Sequence, residues 1–301
     1  MIYITDEEIT SLGIDERQYY EWVKDMIISK KSAILPAKIS MKMEGHIFYN
    51  VMPCILPDKK VAGVKLVNRY PDNTPSLKSN LMLYDLASGD LKAVMDANLI
   101  TTLRTGAVAA HSIFLFARDG FQVMSLIGLG NVTKAAFKIF SKMYGNKPLT
   151  IKVFKYKDHA DKLIREYADY DNYNFVVCDT YEQTMRDSDV IVSGITFAEG
   201  DFCDEKVYKK GCLIVPIHTL GFQNCDLTFD KVFGDDYSHI AGFKYFDKFK
   251  SFNEVCDVQN GLVKGRENDQ ERILAYNIGI AVHDLYFAEK IYQLIVERGA
   301  K

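Results

Sequence analysis

The segment Ser125–Lys134, "SLIGLGNVTK", joins an apolar run to two closely spaced glycines and the polar start of a helix. In a dinucleotide-binding turn, the first glycine allows the sharp bend and the second lets the backbone approach a pyrophosphate. The phosphates then lie on free N–H groups at the helix N-terminus. Gly128 and Gly130 fit these two roles. The third glycine of the fingerprint is replaced by Thr133, so an ordinary strand-to-helix turn remains the alternative.

The next apolar strand run ends in "VFKYK", which places Lys155 and Lys157 where NAD-binding folds carry an acid for the ribose 2′-hydroxyl. The first acid in this stretch is Asp158. A cation at this point suits the 2′-phosphate of NADP, and this favours NADP slightly over NAD. The alternative is that both lysines are simply solvated at the end of a strand.

The elements that would position these residues change type along the chain. Helical spacing covers 6–30, with Asp6 as N-cap, and short strand-like runs follow from 33 to 86. Residues 94–117 are predicted as one long, largely buried helix. From residue 118, strands alternate with helices, including strands at "VIVSGIT" and "KVFGDD", and the last segment, "QERILAYNIGIAVHDLYFAEKIYQLIVERG", is predicted as one long helix.

This order of elements predicts an α/β protein with two domains. The alternating region indicates right-handed βαβ units, so residues 118–271 are expected to form a Rossmann-type, doubly wound parallel sheet. Residues 1–117 form an N-terminal α+β domain, which 272–301 complete with the C-terminal helix.

The composition narrows the possible partners and the compartment. The formal net charge of -3 offers no electrostatic footprint for nucleic acid or anionic lipid. No apolar run approaches the roughly 20 residues that cross a bilayer, and the first residues lack the features of a signal peptide. The six cysteines show no CxxC pair or zinc spacing, so no metal site is expected. We therefore expect a cytoplasmic protein with reduced thiols.

Several motifs together resemble the ornithine cyclodeaminase/mu-crystallin family, which includes alanine dehydrogenases and ketimine reductases. They are "GVKLVNRYPDN", "VMDANLITTLRTGAVAA", "GLGN" and the late stretch "NIGIAVHD". The resemblance runs in unbroken order from about residue 36 to 295. It implies an enzyme with a substrate-binding and dimerisation domain beside the dinucleotide-binding domain, and a homodimer joined through the N-terminal sheets and the C-terminal helix. The apolar segments "HIFYNVMPCIL" and "DLYFAEKIYQLIV" agree with such an interface.

The resemblance implies roles for two cations, Lys65 and Arg104. Lys65 would touch the substrate and serve in proton transfer, and a lysine in an apolar strand lowers its pKa readily, as a catalytic amine requires. A surface lysine is the alternative. Arg104, in "LRTGA", would contact both the cofactor and the substrate carboxylate, because an arginine in an apolar helix needs an anionic partner.

Further contacts follow from the same resemblance. Thr105 would help to hold the phosphates, Ser76 would contact the cofactor, and Ser193 would lie under the nicotinamide. Asn277 and Ile278 match a pair near cofactor and substrate, with Ile278 on the substrate side. The expected cofactor contacts are Ser76, Arg104, Thr105, Gly128, Gly130, Asn131, Val132, Lys155, Ser193, Ile217, His218 and Asn277.

Two positions depart from the family pattern. The early arginine that clamps a substrate carboxylate in many members is Lys38 here, which replaces a bidentate fork by a point charge. The aspartate of a Gly-x-Asp segment falls on Leu220 in the register without a gap, which we prefer. A register anchored on His218 instead brings Asp226 near the acid position. If Leu220 is the match, His218 is the nearest group with a suitable pKa and becomes a catalytic candidate.

Loss of that aspartate favours simple hydride transfer over ornithine cyclisation. The first hypothesis is an NAD(P)H-dependent enzyme that reduces a 2-imino acid at Cα, or oxidises the matching amino acid, with Lys38, Lys65, Arg104 and Ile278 around the substrate. The alternative is ornithine cyclodeaminase, which converts ornithine to proline and ammonia with bound NAD. A hypothesis of another class is an NADP-loaded small-molecule binding protein.

Overall fold

The computed structural model describes residues 1–195 and 198–299. The predicted strand "VIVSGIT" ends at Thr196, which lies outside the described residues, as does the end of the predicted range 272–301. The chain divides into two compact units. The first is Met1–Arg104 together with the segment from Gly279 onward, and the second is Thr105–Ile278.

The first unit begins with two helices in place of the single helix predicted over 6–30. Helix α1 spans Asp6–Ser11 and α2 spans Glu16–Ser29. The prediction of Asp6 as N-cap was also wrong, because the Thr5 side chain caps α1 and forms a capping box with Glu8. Gly13, with a φ of 61°, breaks the helical path, and Asp15 then caps the second helix.

A six-stranded mixed sheet forms the body of the first unit, in the order β1-β6-β5-β4-β3-β2. Its strands are β1 (Ile2–Ile4), β2 (Ile39–Met43), β3 (Ile47–Leu56), β4 (Val61–Arg69), β5 (Leu77–Asp85) and β6 (Leu91–Asp96). Only β1 pairs in parallel, with β6. Helix α10 (Ala281–Gly299) packs on one face of the sheet. The contact is close: a Cβ on Gly63 of β4 would overlap the Leu285 side chain of α10.

Helix α3 (Asn98–Phe116) begins four residues later than the predicted helix over 94–117. Residues 94–96 pair with β5 as the end of strand β6, because their alternation continues the strand. By length and composition α3 could cross a membrane, although 67% of its apolar window is buried inside the protein. The core helix of a globular protein has the same properties, so this observation is weak evidence for a membrane span.

The second unit contains an eight-stranded sheet in the order β13-β12-β14-β11-β10-β7-β8-β9, and every neighbouring pair is parallel. Its strands are β7 (Val123–Ile127), β8 (Leu149–Phe154), β9 (Tyr173–Cys178), β10 (Val190–Ser193), β11 (Leu213–Pro216), β12 (Lys231–Gly234), β13 (Phe252–Glu254) and β14 (Ile273–Tyr276). The helices are α4 (Asn131–Tyr144), α5 (His159–Glu166), α6 (Tyr181–Met185), α7 (Gln223–Asp226), α8 (Tyr237–Ile240) and α9 (Val255–Gln259). The predicted Rossmann-type sheet is therefore confirmed.

The segment predicted as one C-terminal helix contains a strand and a helix. Strand β14 pairs with β11 and β12 in the middle of the parallel sheet, and only α10 is helical. The chain passes between the compact units at 104/105, within α3, and at 278/279, after β14, whereas the predicted boundaries are 117/118 and 271/272.

Candidate active site

The first unit holds two buried cations on one carboxylate. Lys65 Nζ lies 2.7 Å from Asp284 Oδ1, and Arg104 Nε donates to the same oxygen at 2.8 Å. The side chains of Lys65 and Asp284 are each 1% exposed and that of Arg104 is 6% exposed. Burial of an unpaired charge is costly, so the three side chains must be buried together as a paired cluster. Two cations on one anion leave a net charge of +1, which a bound carboxylate would neutralise.

Burial and charge tune the protonation of this cluster. Burial lowers the pKa of Lys65 to about 8; Asp284 opposes that shift, while the Arg104 and Lys38 charges add to it. The pKa of Asp284 is lowered, because Arg104 and Lys65 together outweigh the cost of burying its carboxylate. Asp284 is therefore an anion at neutral pH, and Lys65 is a cation that can release a proton near pH 8.

A chain of polar side chains extends from Lys65 to the start of α3. Lys65 Nζ lies 3.4 Å from Thr101 Oγ1, which is in turn 3.4 Å from Ser79 Oγ. Both the backbone N–H and the hydroxyl of Ser79 donate to Asn98 Oδ1, at 2.8 and 3.1 Å. These contacts link strands β4 and β5 to α3 and fix the Lys65 ammonium between Asp284 and the Thr101 hydroxyl.

The Arg104 guanidinium requires a glycine beside it. Gly279 has a φ of 78°, and a Cβ there would overlap the guanidinium. The glycine of "NIGIAVHD" thus serves two purposes, a left-handed backbone turn and space for the arginine.

Asp284 was absent from the sequence-derived candidates, although the resemblance included its motif. The signal that could have found it is an acid in an otherwise apolar helix start, three residues after Ala281 of that motif. Its second oxygen, Oδ2, is buried and has no hydrogen-bond partner among the described residues.

Two other predicted contacts lie in the first unit. Lys38 is half-buried directly before β2, and its charge lowers the pKa of Lys65, which places it within electrostatic range of the cluster. Ser76 is half-buried before β5, and its carbonyl accepts the Tyr70 N–H at 2.8 Å. Ser76 thus closes the loop between β4 and β5.

The glycine turn of the second unit lies between β7 and α4. Gly128 has a φ of 73°, and a Cβ there would lie 2.8 Å from backbone atoms of Gly194 and Ile195. The Thr133 hydroxyl donates to the Gly128 carbonyl at 2.7 Å, so the residue in place of the third glycine braces the turn. Its space comes from Gly194, where a Cβ would overlap the hydroxyl.

Gly130 differs, because the protein fold does not require a glycine there. Its φ is −78°, and a Cβ at this position would meet no protein atom within 4 Å. It precedes α4, whose N-terminus has no side-chain cap, and the first N–H groups of a helix lack intrahelical partners. Asn131 and Val132, the predicted contacts, are the first two residues of this helix. The open space and the free amides together fit a phosphate cradle.

Further predicted contacts of the second unit lie at or just after the carboxyl ends of neighbouring strands. Ser193 ends β10, which pairs with β7 and β11, and its hydroxyl lies 2.7 Å from His218 Nε2. The Ile217 N–H donates to the Ser193 carbonyl at 2.8 Å. Asn277 follows β14 and is buried; its Oδ1 accepts from Ser112 at 3.0 Å. The half-buried side chain of Ile278 packs against the core of this unit.

This edge includes the topological switch point of the sheet. From β7 the chain continues to β8 and β9 on one side and to β10 and β11 on the other, so the carboxyl ends of β7 and β10 flank the switch point. Ligands of open α/β sheets bind in the crevice at this point.

His218 fits poorly as an acid at neutral pH. Burial lowers its pKa to about 4, and its ring packs against Phe202 and Phe222. The imidazole is thus neutral through the physiological pH range, and its Nε2 can either donate a hydrogen bond to the Ser193 hydroxyl or accept one from it.

The two candidates for the missing aspartate position differ in environment. Leu220 is 50% exposed, whereas Asp226 is buried in α7, where it accepts a hydrogen bond from Tyr276 at 2.8 Å. Burial raises the pKa of Asp226 to about 7. The Asp226 carboxyl is buried and bonded to the Tyr276 hydroxyl, so we assign it a structural role in the interior of the second unit.

Lys155 lies directly after β8 and is exposed, as the NADP interpretation requires. Its ammonium is 3.5 Å from the Asp179 carboxylate. Asp179 directly follows β9, the neighbouring strand, so an acid accompanies the cation at this sheet edge. Thr105, the other predicted phosphate contact, is buried in α3.

One unit with a parallel sheet and a glycine turn at its switch point, and a second unit with a buried Lys–Asp–Arg cluster, together define the class of two-domain dinucleotide-binding enzymes. The ornithine cyclodeaminase/mu-crystallin family matches residues 29–299 of the sequence. The chain belongs to this family, as its motifs predicted.

Curated relatives are distant but extend over most of the chain. The nodulation efficiency protein NfeD of Rhizobium meliloti is 27% identical over 275 residues, which cover 88% of this chain and 85% of that protein. The N-((2S)-2-amino-2-carboxyethyl)-L-glutamate dehydrogenase of Staphylococcus aureus is 24% identical over 326 residues, with coverage of 97% and 95%.

Solved structures share the whole fold. The Δ1-pyrroline-2-carboxylate reductase of Thermococcus litoralis, solved with NADH and L-proline, has a TM-score of 0.87 at 21% identity and covers 99% of this chain and 98% of its own. An archaeal alanine dehydrogenase dimer with bound NAD has a TM-score of 0.85 at 22% identity, with coverage of 99% and 96%. At sequence identities of 21% and 22%, these similarities establish a shared fold and nothing more specific.

Proposed function

We propose that the protein is an NAD(P)H-dependent oxidoreductase that reduces a 2-imino acid to the amino acid, or catalyses the reverse oxidation. The observation that carries the proposal is the buried cluster in which Lys65 and Arg104 share Asp284. It offers a net positive charge for the substrate carboxylate and an amine that exchanges a proton near pH 8.

Each residue of the cluster has a distinct role. Arg104 holds the substrate carboxylate, since a guanidinium matches its planar geometry. Lys65 gives a proton to the imine nitrogen in reduction and takes it back in oxidation, with a pKa close to the working pH as general acid–base catalysis requires. Asp284 keeps Lys65 in place and protonated.

The residues of the glycine turn fit a nicotinamide dinucleotide. Gly128 supplies the bend, Gly130 leaves space for the pyrophosphate, and the N-terminus of α4 offers amides to the phosphates. When bound, the reduced cofactor supplies a hydride to Cα of the C=N bond, which with one proton on nitrogen yields the amine and the oxidised nucleotide. We propose NADP as the preferred form, because Lys155 can meet a 2′-phosphate. Asp179 beside it makes this preference modest.

The alternative functions have less support. Ornithine cyclisation handles a second amine, and the exposed Leu220 cannot move its proton. A binding protein without turnover has no need for a lysine buried against a carboxylate and with its pKa lowered to about 8.

We also propose that two copies of the chain associate through the outer face of the mixed sheet. Exposed apolar side chains lie on this face at Ile39, Met41, Leu66 and Met82. They continue into an apolar groove of about 310 Å³ lined by Ile34, Pro53, Val64 and Tyr84, among others. A sheet face of this kind is more apolar than a free surface usually is.

The C-terminal helix contributes less to this interface than its sequence suggests. Residues 281–289 of α10 are buried within the chain itself, so their apolar character is explained by packing on the sheet. The sheet face alone carries the dimer proposal. Light scattering on Met82→Lys should show a monomer, with Leu227→Lys, an exposed leucine of the second unit, as control. A dimeric Met82→Lys protein would refute the proposed interface.

The enzymatic proposal is tested by incubating the protein with NADPH or NADH, ammonia and a panel of 2-oxo acids, which form 2-imino acids in solution. We expect nucleotide oxidation that requires both the 2-oxo acid and ammonia, and that is lost in Lys65→Ala. Conversion of ornithine to proline with only catalytic NAD⁺ would favour the cyclodeaminase instead.

A further inference from the structure

The sheet face that carries Lys65 also carries cations beyond the cluster. Cross-strand partners in an antiparallel sheet share a face, and so do residues two apart along a strand. Lys65 pairs with Met52 on β3, and Val67 and Arg69 follow it on β4. Arg69 pairs with Phe48, which in turn pairs with Lys42 on β2. Lys42 and Arg69 therefore lie in one row, on the same face as Lys65.

These two cations have no local counter-charge. Lys42 is exposed and Arg69 is half-buried, and neither forms an ion pair with any residue that the structure describes. In contrast, Lys65 and Arg104 share Asp284. The cationic pair thus has capacity for an anion that the described part of the chain does not supply.

The positions between Lys65 and this pair are neutral. The row between them consists of Ser40 on β2, Asn50 on β3 and Val67 on β4. None of these three residues is an acid. Two buried polar atoms on this face, Asn50 Oδ1 and Arg69 Nε, have no hydrogen-bond partner among the described residues. A buried donor without a partner is costly, and a bound carboxylate would accept the hydrogen bond of Arg69 Nε–H.

The spacing suits a small molecule. Arg69 lies four residues beyond Lys65, so their Cα atoms are roughly 13 Å apart at a strand rise of about 3.3 Å per residue. Side chains as long as lysine and arginine can reach across this interval from both ends. A substrate with one carboxylate at Arg104 and Lys65 and a second charged group at Arg69 would span this interval with a short side chain.

We propose that the substrate is a 2-imino acid with a second carboxylate at the end of its side chain, and that Arg69 and Lys42 bind that carboxylate. The inference rests on the proposed function and names its substrate class. A side chain that ends in an amine, as in ornithine, would meet two cations and no acid at these strand positions, which disfavours it by charge repulsion.

The test compares two five-carbon substrates that differ at the distal end. Imines formed from ammonia with 2-oxoglutarate or with 2-oxopentanoate are supplied to the full-length protein with NADPH. We expect kcat/KM to be roughly 10- to 100-fold higher for the dicarboxylate, the range expected for a hydrogen-bonded charge. Arg69→Gln and Lys42→Gln should lose this preference through KM, with little change for 2-oxopentanoate. Lys210→Gln, at an exposed lysine of the second unit, is the control for loss of a surface charge.

Binding of the product gives an independent measurement. Isothermal titration should show tighter binding of L-glutamate than of its neutral near-isostere L-glutamine, and Arg69→Gln should abolish the difference. Equal binding of the two, or reduction of the 2-oxopentanoate imine as well as or better than the dicarboxylate, would overturn this inference while leaving the reductase proposal intact. Failure to reduce any 2-imino acid would count against the reductase proposal itself.

Discussion

Lys65 Nζ and Asp284 Oδ1 are 2.7 Å apart in a site from which water is almost excluded, although their positions in the sequence differ by 219. The pair determines both the position and the protonation of the lysine. Removing the carboxylate while keeping its shape therefore tests the cluster directly.

Asp284→Asn should destabilise the fold and shift the pH dependence of activity. Breaking a buried ion pair leaves uncompensated charge, which costs about 3–5 kcal/mol. Because the Asp284 anion raises the pKa of Lys65, its loss should lower that pKa below about 8. Urea denaturation measures the first effect, and the pH profile of the remaining activity measures the second. An unchanged profile would show that Asp284 has a structural role only.

The pH dependence of the native enzyme follows from Lys65. The folded-state pKa, about 8, is depressed from 10.5, so the amine is charged below pH 8 and neutral above it. Reduction needs the charged acid, so kcat/KM should fall as the pH rises through about 8. Oxidation needs the neutral base and should rise over the same interval. Measurement of kcat/KM for reduction and for oxidation from about pH 6 to pH 10 checks this prediction. If the two pH profiles rise or fall in the same direction, Lys65 is not the proton carrier.

Lys65→Ala should reduce kcat by roughly 10²–10⁴, the usual contribution of a general acid or base. The nucleotide affinity should stay unchanged, because the proposed phosphate contacts lie elsewhere. Fluorescence titration with NADPH separates the two effects. A variant with full activity would remove the lysine from the mechanism.

Gly130→Ala should weaken nucleotide binding without damage to the fold. A Cβ at this position meets only open space in the protein, so stability should change by less than about 1 kcal/mol. The same methyl would press on a pyrophosphate and weaken NADPH binding by roughly tenfold, since overpacking costs on the order of 1–3 kcal/mol. Gly242→Ala, also in open space, is the control. Unchanged NADPH affinity in Gly130→Ala would argue against the cradle.

The choice between NADP and NAD should depend on Lys155 and Asp179 in opposite directions. Lys155→Gln should weaken NADPH binding by about fivefold, as expected for an exposed charge pair, and should leave NADH unaffected. Asp179→Asn should strengthen NADPH binding, because it frees the lysine from its 3.5 Å partner. Titration of each variant with NADPH and with NADH measures the ratio of the two affinities. If neither substitution changes the ratio of the two affinities, both residues are only solvated surface charges.

Local patterns sufficed to predict the elements whose residues are close in sequence. The glycine turn, the alternation from β7 to β12 and the motif lysine and arginine all depend on short spacings. The sequence predicts a helix where strand β14 lies. All four residues of β14 are buried, and a short run of buried apolar residues lacks the alternation that distinguishes a strand from a helix. The break between α1 and α2 depended on one positive φ at Gly13.

The partner of the catalytic candidates was harder to predict. Asp284 approaches Lys65 and Arg104 only because α10 returns to the sheet near Gly63, a contact that no local pattern encodes. The Arg69–Lys42 row similarly follows from the register of three strands.

The central claim is hydride transfer to Cα of a 2-imino acid, and isotope transfer measures it most directly. NADPH or NADH deuterated at C4, in each stereochemical form, is incubated with the protein, ammonia and 2-oxoglutarate, and the product is analysed by mass spectrometry and NMR. One of the two forms should place a single deuterium on Cα of the amino acid. Product without deuterium at Cα from either form, or nucleotide that remains fully reduced with every 2-imino acid supplied, would contradict the claim.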